Sequence, residues 1–255
     1  MEEYAVITGA SSGIGKEFAF RLSKLNYNII LVARREDKLK KIASQIKTNT
    51  IVFSADLSNQ EECLKLINFI KNYNVSIFIN NAGFGKCEQS INIDETNELK
   101  MIDVNVKAVH LLTKLVLKQI NNKEDTFILN VASIAGLLPS GPYMATYYAT
   151  KSYITSFTQS IAKELKDNKS KTYIGCLCPG PVKTEFDEVA NVKFSLKSIS
   201  AEKCVSVAIK KMFQKKTIII PTFKIKAVSF FSKIFPRKIV GFIVAKQQKR
   251  KIVRY

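Results

Sequence analysis

Short runs of β-branched and apolar residues alternate with longer stretches of helical period along most of this chain. The runs Tyr4–Thr8, Asn28–Ala33, Thr50–Ser54, Ser76–Asn80, Thr126–Val131, Thr172–Cys178 and Thr217–Ile220 predict strands. Helices are predicted between them near 14–24, 36–47, 59–71, 95–120, 145–167 and 201–213. Glu36 and Asp37 open one of these, Asp94 and Glu95 another, where carboxylates meet the positive end of the helix dipole. Such alternation builds right-handed βαβ units, so residues 1–220 are expected to form a single α/β domain around a doubly wound parallel sheet of about seven strands. No internal repeat or long linker divides it. Past Ile220 the pattern changes. Pro221 ends the last strand, Lys224–Phe235 and Arg237–Ala245 mix apolar and cationic residues around Pro236, and Lys246–Tyr255 is almost wholly polar and basic. Residues 221–255 read as a basic amphipathic C-terminal extension.

Composition changes this picture in one place. The 255 residues are 46% hydrophobic, ordinary for a globular chain. No uninterrupted apolar run is long enough to predict a spanning helix. Met1-Glu2-Glu3 is acidic and the first strand starts at Tyr4, so no signal peptide is expected and a cytoplasmic location is. The net charge of +19, however, is unevenly spread. Residues 1–202 hold 25 basic and 21 acidic residues, whereas 203–255 hold 15 basic residues and no acid. The five cysteines form no C-x-x-C pair, and the single histidine, His110, lies in an apolar helical stretch, so no metal site is expected. Cys176 and Cys178 alternate on one strand and should share a face as small apolar groups.

The most informative segment is Thr8-Gly-Ala-Ser-Ser-Gly-Ile-Gly15, which follows a strand directly and opens a helix. Glycines there permit tight turns and close approach to a pyrophosphate, and the helix N-terminus offers free N–H groups. The spacing is G-x-x-x-G-x-G rather than G-x-G-x-x-G. Asn80-Asn-Ala-Gly83 ends the fourth strand, on the carboxyl edge where ligands bind in such sheets. Asp56 follows the third strand, either accepting from an adenine amino group or capping the next helix. The second strand ends Val32-Ala33-Arg34-Arg35 with no acid, and a guanidinium there pairs with a 2′-phosphate, unless the arginines are simply solvated.

Tyr147 and Lys151 stand four apart in a helical pattern and share a face. A free phenol titrates near 10. An ammonium about 4–6 Å away is worth roughly 3–4 kcal/mol at an effective dielectric near 20, which is expected to lower the phenol towards its working range. Tyr148 lies off this face. Ser133 ends the fifth strand, placed to donate to a carbonyl oxygen.

These motifs, together with Pro179-Gly-Pro-Val-Lys-Thr184, occur in the order and spacing of the short-chain dehydrogenase/reductase family, which residues 4–220 resemble. The resemblance implies a Rossmann-type fold and an NAD(P)-dependent oxidoreductase acting on a carbonyl or alcohol. It implies a catalytic set of Asn105, Ser133, Tyr147 and Lys151, with Asn105 supporting a water that links Lys151 to bulk proton supply. The implied cofactor-binding residues are Gly9, Ser11, Ser12, Gly13, Ile14, Gly15, Arg34, Asp56, Leu57, Asn81, Ala82, Gly83, Tyr147, Lys151, Pro179, Gly180, Val182 and Thr184, the last contacting the nicotinamide carboxamide. In that family a basic residue after the second strand accompanies NADPH, so Arg34 favours NADP(H) over NAD(H), although Ser12 stands where such members often carry a basic residue. Residues 185–200 should form a lid whose Phe186, Val189, Val192, Phe194 and Leu196 lean towards an apolar substrate, with Leu137, Leu138, Pro139 and Tyr143 as the opposite wall. A dimer through helices 95–120 and 145–167 is expected over a tetramer.

The tail suits an anionic membrane surface, with Phe230, Phe231, Phe235 and Phe242 among its cations, or else folds over the domain or against a partner helix. Nucleic acid is not expected, because no reading motif accompanies the charge. The main reading is an NADPH-dependent reductase of an apolar ketone, aldehyde or acyl-linked carbonyl. The alternatives are a catalytically silent nucleotide-sensing protein and a membrane-docking adaptor.

Overall fold

The computed structural model describes residues 2–120, 125–190 and 198–249. Its seven-stranded parallel sheet has the order β3-β2-β1-β4-β5-β6-β9. The strands are β1 (Tyr4–Thr8), β2 (Asn28–Ala33), β3 (Thr50–Ser54), β4 (Val75–Asn80), β5 (Phe127–Val131), β6 (Tyr173–Leu177) and β9 (Ile218–Ile219). All seven were expected, within one or two residues at each end. Apart from the partly buried edge strands β3 and β9, their apolar residues are buried on both faces, as a sheet covered on both sides requires. Ala5, Ile7, Ile29 and Leu31 face α1 (Gly13–Ser23), α2 (Glu36–Ala43) and α8 (Ala201–Phe213). The alternate residues Val6, Ile30, Val32 and Phe78 face α3 (Gln60–Ile70), α5 (Val109–Ile120) and α6 (Ala145–Asp167). The two-residue period of a strand sorts these sets.

Three features refine the expected pattern. Helix 95–120 is interrupted: α4 (Glu95–Ile102) and α5 are joined by a π-helical segment, Asp103–Ala108. Such a widened turn re-aims the side chains on it, and it carries Asn105, which is fully buried. Second, Val182–Lys183 (β7) and Ile199–Ser200 (β8) pair as a separate two-stranded sheet, with the short α7 (Phe186–Val189) between them. Third, the basic segment after β9 folds as two helices, α9 (Phe223–Ile234) and α10 (Arg237–Lys249), separated by Pro236. Ile225 of α9 packs on Gly180, and Val240, Val244 and Gln248 of α10 are buried against α6. Residues 250–255 lie outside the described residues. No described helix is long and apolar enough to cross a membrane.

A buried polar network ties the layers together below the carboxyl edge of the sheet. Asn80 Nδ2 on β4 donates to Asn130 Oδ1 (3.0 Å) and to Thr113 Oγ1 (3.1 Å), and Asn130 Nδ2 on β5 donates to Thr158 Oγ1 of α6 (2.9 Å). Thr113 Oγ1 of α5 donates to Asn130 Oδ1 at 3.2 Å. Buried groups of this kind cost most when one partner is removed. Asn130→Ala removes the acceptor shared by Asn80 Nδ2 and the Thr113 hydroxyl and the donor to Thr158 Oγ1, a loss of about 3 kcal/mol, and should lower the melting temperature by roughly 6–12 °C. A thermal melt within a degree of wild type would contradict this role.

Candidate active site

The carboxyl ends of β1 through β6 open onto one cavity of about 410 Å³. At its floor the chain leaves β1 through Gly9, whose φ of +65° suits glycine, and enters α1. Ser12, at the N-cap of α1, makes no side-chain capping bond, and Gly13 and Ile14 of the first turn line the cavity. A methyl group on Gly15 would stand 2.4 Å from Gly9 O and 2.5 Å from Asn81 Nδ2. Glycine at 15 therefore lets α1 start directly beneath the loop. Asn81 Nδ2 in turn donates to Thr8 O (2.9 Å) and Gly9 O (3.2 Å), while Thr8 Oγ1 accepts from the N–H groups of Asn81 and Ala82. The end of β4 is thus stitched to the glycine loop. A tight glycine cradle and an uncapped helix start fit a bound dinucleotide pyrophosphate.

The end of β2 brings two guanidinium groups to the same rim. Arg34 is largely exposed, with Nη1 3.9 Å from Asp56 Oδ2. Arg35 donates from Nη2 and Nε to Ser11 Oγ (2.9 and 3.2 Å), and from Nη2 to Ser12 Oγ (3.3 Å). Its Nη1 pairs with Glu185 Oε2 at 2.8 Å, and Lys38 Nζ reaches Glu185 Oε1 at 2.9 Å. Hydrogen bonds from Lys38 and Arg35 push the Glu185 carboxyl down to about 2. Asp56 serves two uses at once. Its Oδ1 accepts from the Ser58 N–H and hydroxyl, and its Oδ2 faces Arg34 and Lys100. Burial raises its carboxyl, but those hydrogen bonds and cations outweigh it, and the net direction is down.

The opposite end of the cavity carries the proton chemistry. Ser133 leaves β5 and caps the short turn Ile134–Leu137, accepting from Ala135 N at 3.2 Å. Its hydroxyl is within hydrogen-bonding reach of the Tyr147 phenol. Lys151, one turn further along α6, is 6% exposed, and its Nζ donates to Val131 O at 2.9 Å and lies 5.8 Å from the Tyr147 ring centroid. The expectation that Lys151 lowers the phenol is corrected here. Burial pushes Tyr147 up to about 12, with the Ser133 bond opposing it, and burial pulls Lys151 down to about 8. The site is dry enough that desolvation outweighs an ammonium already committed to a backbone carbonyl.

Most of the expected cofactor residues line this one cavity: Gly9, Ser11, Ser12, Gly13, Ile14, Arg34, Asp56, Leu57, Asn81, Ala82, Gly83, Pro179, Gly180, Val182 and Thr184, with Ser133, Tyr147 and Lys151. Gly15 and Asn105 do not. Gly15 lies beneath the loop. Asn105 lies behind the wall, its Nδ2 donating to Phe84 O (2.9 Å) and Thr150 Oγ1 (3.1 Å) and its Oδ1 accepting from Phe84 N (3.1 Å). With both ends of its amide engaged, this side chain clamps the loop after β4 to α6. Of the expected apolar walls, Phe186 and Leu138 line the cavity, and the Phe186 ring sits 5.5 Å from that of Tyr147. Leu137 packs instead with Ile154 and Cys176, while Pro139 is exposed. Tyr143 packs beside the Tyr147 cluster without lining the cavity. Val192, Phe194 and Leu196 lie outside the described residues.

A family model described as short chain dehydrogenase matches residues 3–193. The chain belongs to the short-chain dehydrogenase family. It is an oxidoreductase of that family, acting between carbonyl and alcohol groups. It is 32% identical over 189 residues to a 3-oxoacyl-(acyl-carrier-protein) reductase of Rickettsia prowazekii, covering 74% of this chain and 76% of that one. It is 37% identical over 185 residues to a very-long-chain 3-oxoacyl-CoA reductase of Candida albicans, covering 64% of this chain and 51% of that enzyme's length. Among solved structures, a short-chain dehydrogenase from Sphingobium yanoikuyae in complex with NADPH superposes with a TM-score of 0.80 at 23% identity, over 88% of this chain and 89% of that one. A 7β-hydroxysteroid dehydrogenase superposes with a TM-score of 0.84 at 20% identity, over 95% and 96%.

Against this family frame, the residues that sequence reasoning missed are informative. Arg35, not Arg34, is the guanidinium held over the glycine loop, and through Glu185 it ties that loop to the segment after β7. Ile225 and Val228 of α9 and Gln247 and Gln248 of α10 also line the cavity. A signal for α10 was present: Val240, Val244 and Gln248 recur every four residues, which places them on one helix face.

Proposed function

We propose that this chain is an NADPH-dependent reductase of an apolar carbonyl compound, foremost a 3-oxoacyl thioester, working against an anionic membrane surface. The observation that carries the reading is the meeting of the Ser133 hydroxyl, the Tyr147 phenol and the buried Lys151 in a cavity with Phe84, Leu138, Met144 and Phe186 on its walls. The glycine loop and the start of α1 would hold the pyrophosphate of a reduced nicotinamide nucleotide, whose chemistry when bound would be hydride donation to the carbonyl carbon. As the carbonyl bond opens, its oxygen gathers charge and takes the proton of Tyr147, while Ser133 donates a hydrogen bond to the same oxygen. A phenol raised to about 12 is fully protonated at neutral pH, so its donor form is the one at hand. Lys151 then stabilises the phenolate left behind. Asn105 is a positioning residue, holding the loop after β4 against α6.

NADPH is favoured because β2 ends in two guanidinium groups and no carboxylate, a match for a 2′-phosphate. The thioester reading follows the relatives named as 3-oxoacyl reductases, together with the apolar walls. A silent nucleotide sensor has no use for a complete proton pathway. Tyr147→Phe should cut turnover by roughly 10²–10⁴-fold, followed by nucleotide absorbance with a 3-oxoacyl thioester, while NADPH still binds. Wild type should be faster with NADPH than with NADH. Turnover retained in the variant contradicts the role of Tyr147, and a clear NADH preference contradicts that of Arg34.

The outer faces of α9 and α10 support the membrane part. Phe223, Phe230, Phe231, Ile234, Phe235, Ile239, Phe242 and Ile243 are all exposed, Phe223 by 84% and Phe242 by 71%. Lys224, Lys226, Lys233, Arg237, Lys238, Lys246 and Lys249 lie among them with no acid. Each cation near an anionic surface contributes about 1 kcal/mol, and the phenylalanines bury into the headgroup boundary. The protein would then sit peripherally on the cytoplasmic side. The full chain should co-sediment with phosphatidylserine vesicles, and combining Phe230→Ser with Phe242→Ser should cut the bound fraction by about tenfold, or about 1.4 kcal/mol. Equal binding to neutral vesicles, or no loss in the variant, would defeat it.

The same reading includes a dimer through the long helices α4–α5 and α6, where the His110 ring stacks on Phe157 at 4.7 Å and its Nδ1 lies 2.7 Å from the Tyr153 hydroxyl on a partly exposed face. Sedimentation velocity should report a dimer; a monomer or a stable tetramer would count against it.

A further inference from the structure

The buried face of α10 ends in a polar residue that the mechanism does not use. Val240, Val244 and Gln248 lie on that face, 7%, 4% and 1% exposed, packed in the cluster that holds Tyr147 and Tyr148. Gln248 Nε2 donates to the Tyr148 hydroxyl. Gln248 Oε1 is buried and has no hydrogen-bond partner among the described residues, and both side chains line the cavity beside Tyr147. An amide oxygen held out of water without a partner is costly, and such an atom in a binding cavity marks where a ligand donor belongs. Tyr148, having accepted from Gln248, still has its own proton to give, and burial raises its pKa well beyond the neutral range. The pair therefore offers one acceptor and one donor side by side, neither charged. Neither group carries a charge for a phosphate or carboxylate to pair with. The complement is a neutral group that itself joins a donor to an acceptor.

We propose that Gln248 and Tyr148 form a substrate subsite that takes a secondary amide, the amide N–H donating to Gln248 Oε1 and the amide carbonyl accepting from Tyr148. This rests on the thioester reading above. There the acyl group rides on a carrier arm whose thioester sulfur is followed by such amides. The basic tail would then have two faces with different tasks: phenylalanines outwards to lipid, and Gln248 inwards to the carrier arm. Because the subsite acts at a distance from the reacting carbonyl, it strengthens substrate and transition state alike, and its signature is in KM rather than kcat.

The test compares two 3-oxoacyl thioesters that differ in one group. One is the N-acetylcysteamine thioester, which carries the amide. The other is the S-(2-acetoxyethyl) thioester, in which oxygen replaces the amide N–H. Wild type should favour the amide by about tenfold or more in kcat/KM, through KM, because a site built to accept a donor rejects the analogue without it. In Gln248→Met that ratio should fall to near one. Tyr148→Phe, which keeps the ring, should lower it as well and serves if Gln248→Met does not fold. A wild-type ratio near one, or a ratio unchanged in the variants, overturns the subsite while leaving the thioester reading intact. Wild type that reduces simple ketones but neither thioester overturns the thioester reading, and the subsite with it.

Discussion

A lysine kept almost out of water is the constraint around which this site is arranged. Lys151 is 6% exposed, and its ammonium has a backbone carbonyl, Val131 O, as its hydrogen-bond acceptor. Bringing α6 close enough for that bond requires Gly136. A methyl group there would stand 2.3 Å from Lys151 O and 2.4 Å from Thr155 Oγ1. The buried network of Asn80, Thr113, Asn130 and Thr158 fixes the same helix against β4 and β5 from beneath. Asn105 fixes it from the side through Thr150, and the π-helical turn is what carries Asn105 inward. Removing water around Lys151 also removes it around Tyr147. The same burial that destabilises the ammonium holds the phenol in its donor form.

The nucleotide end depends on a different kind of economy. Backbone geometry shapes it, with the Thr8 and Asn81 side chains stitching the end of β4 to the glycine loop, and charge is what the other side chains bring. That charge arrives from β2. Arg35 is bound to the loop and to Glu185, whereas Arg34 is largely exposed and only loosely paired with Asp56. One guanidinium is structural in this arrangement and the other is free to meet a ligand. The Arg35–Glu185–Lys38 cluster also holds the start of the segment after β7 at the nucleotide rim.

The strands were legible because a sheet buried on both faces leaves unbroken apolar runs with sharp polar ends, and β1, β2 and β3 match residue for residue. The motifs located the cavity because glycines and a Tyr–Lys pair at helical spacing have few other uses together. What escaped notice has physical reasons too. A π turn alters hydrogen-bond partners without altering hydrophobic period, so residues 95–120 read as one helix. Two-residue strands such as β7 and β8 are too short to show alternation. That Arg35 is the guanidinium bound to Ser11 and Glu185 needed the direction of its side chain at the strand end. The pKa of Tyr147 depended on how dry the cavity is, which spacing alone does not reveal. In the tail, exposed apolar residues such as Ile239, Phe242 and Ile243, interspersed with cations, hid the narrow stripe of Val240, Val244 and Gln248 that docks on the site.

The central claim is that this cavity moves hydride to a carbonyl carbon while Tyr147 supplies the proton. A single-turnover reaction with NADPH carrying deuterium at the transferable position and a 3-oxoacyl thioester tests it most directly. The account predicts one deuterium at C3 of the 3-hydroxyacyl product by mass spectrometry, with the hydroxyl proton drawn from water. Thioester recovered unlabelled and unreduced, from protein that binds the nucleotide, would contradict it.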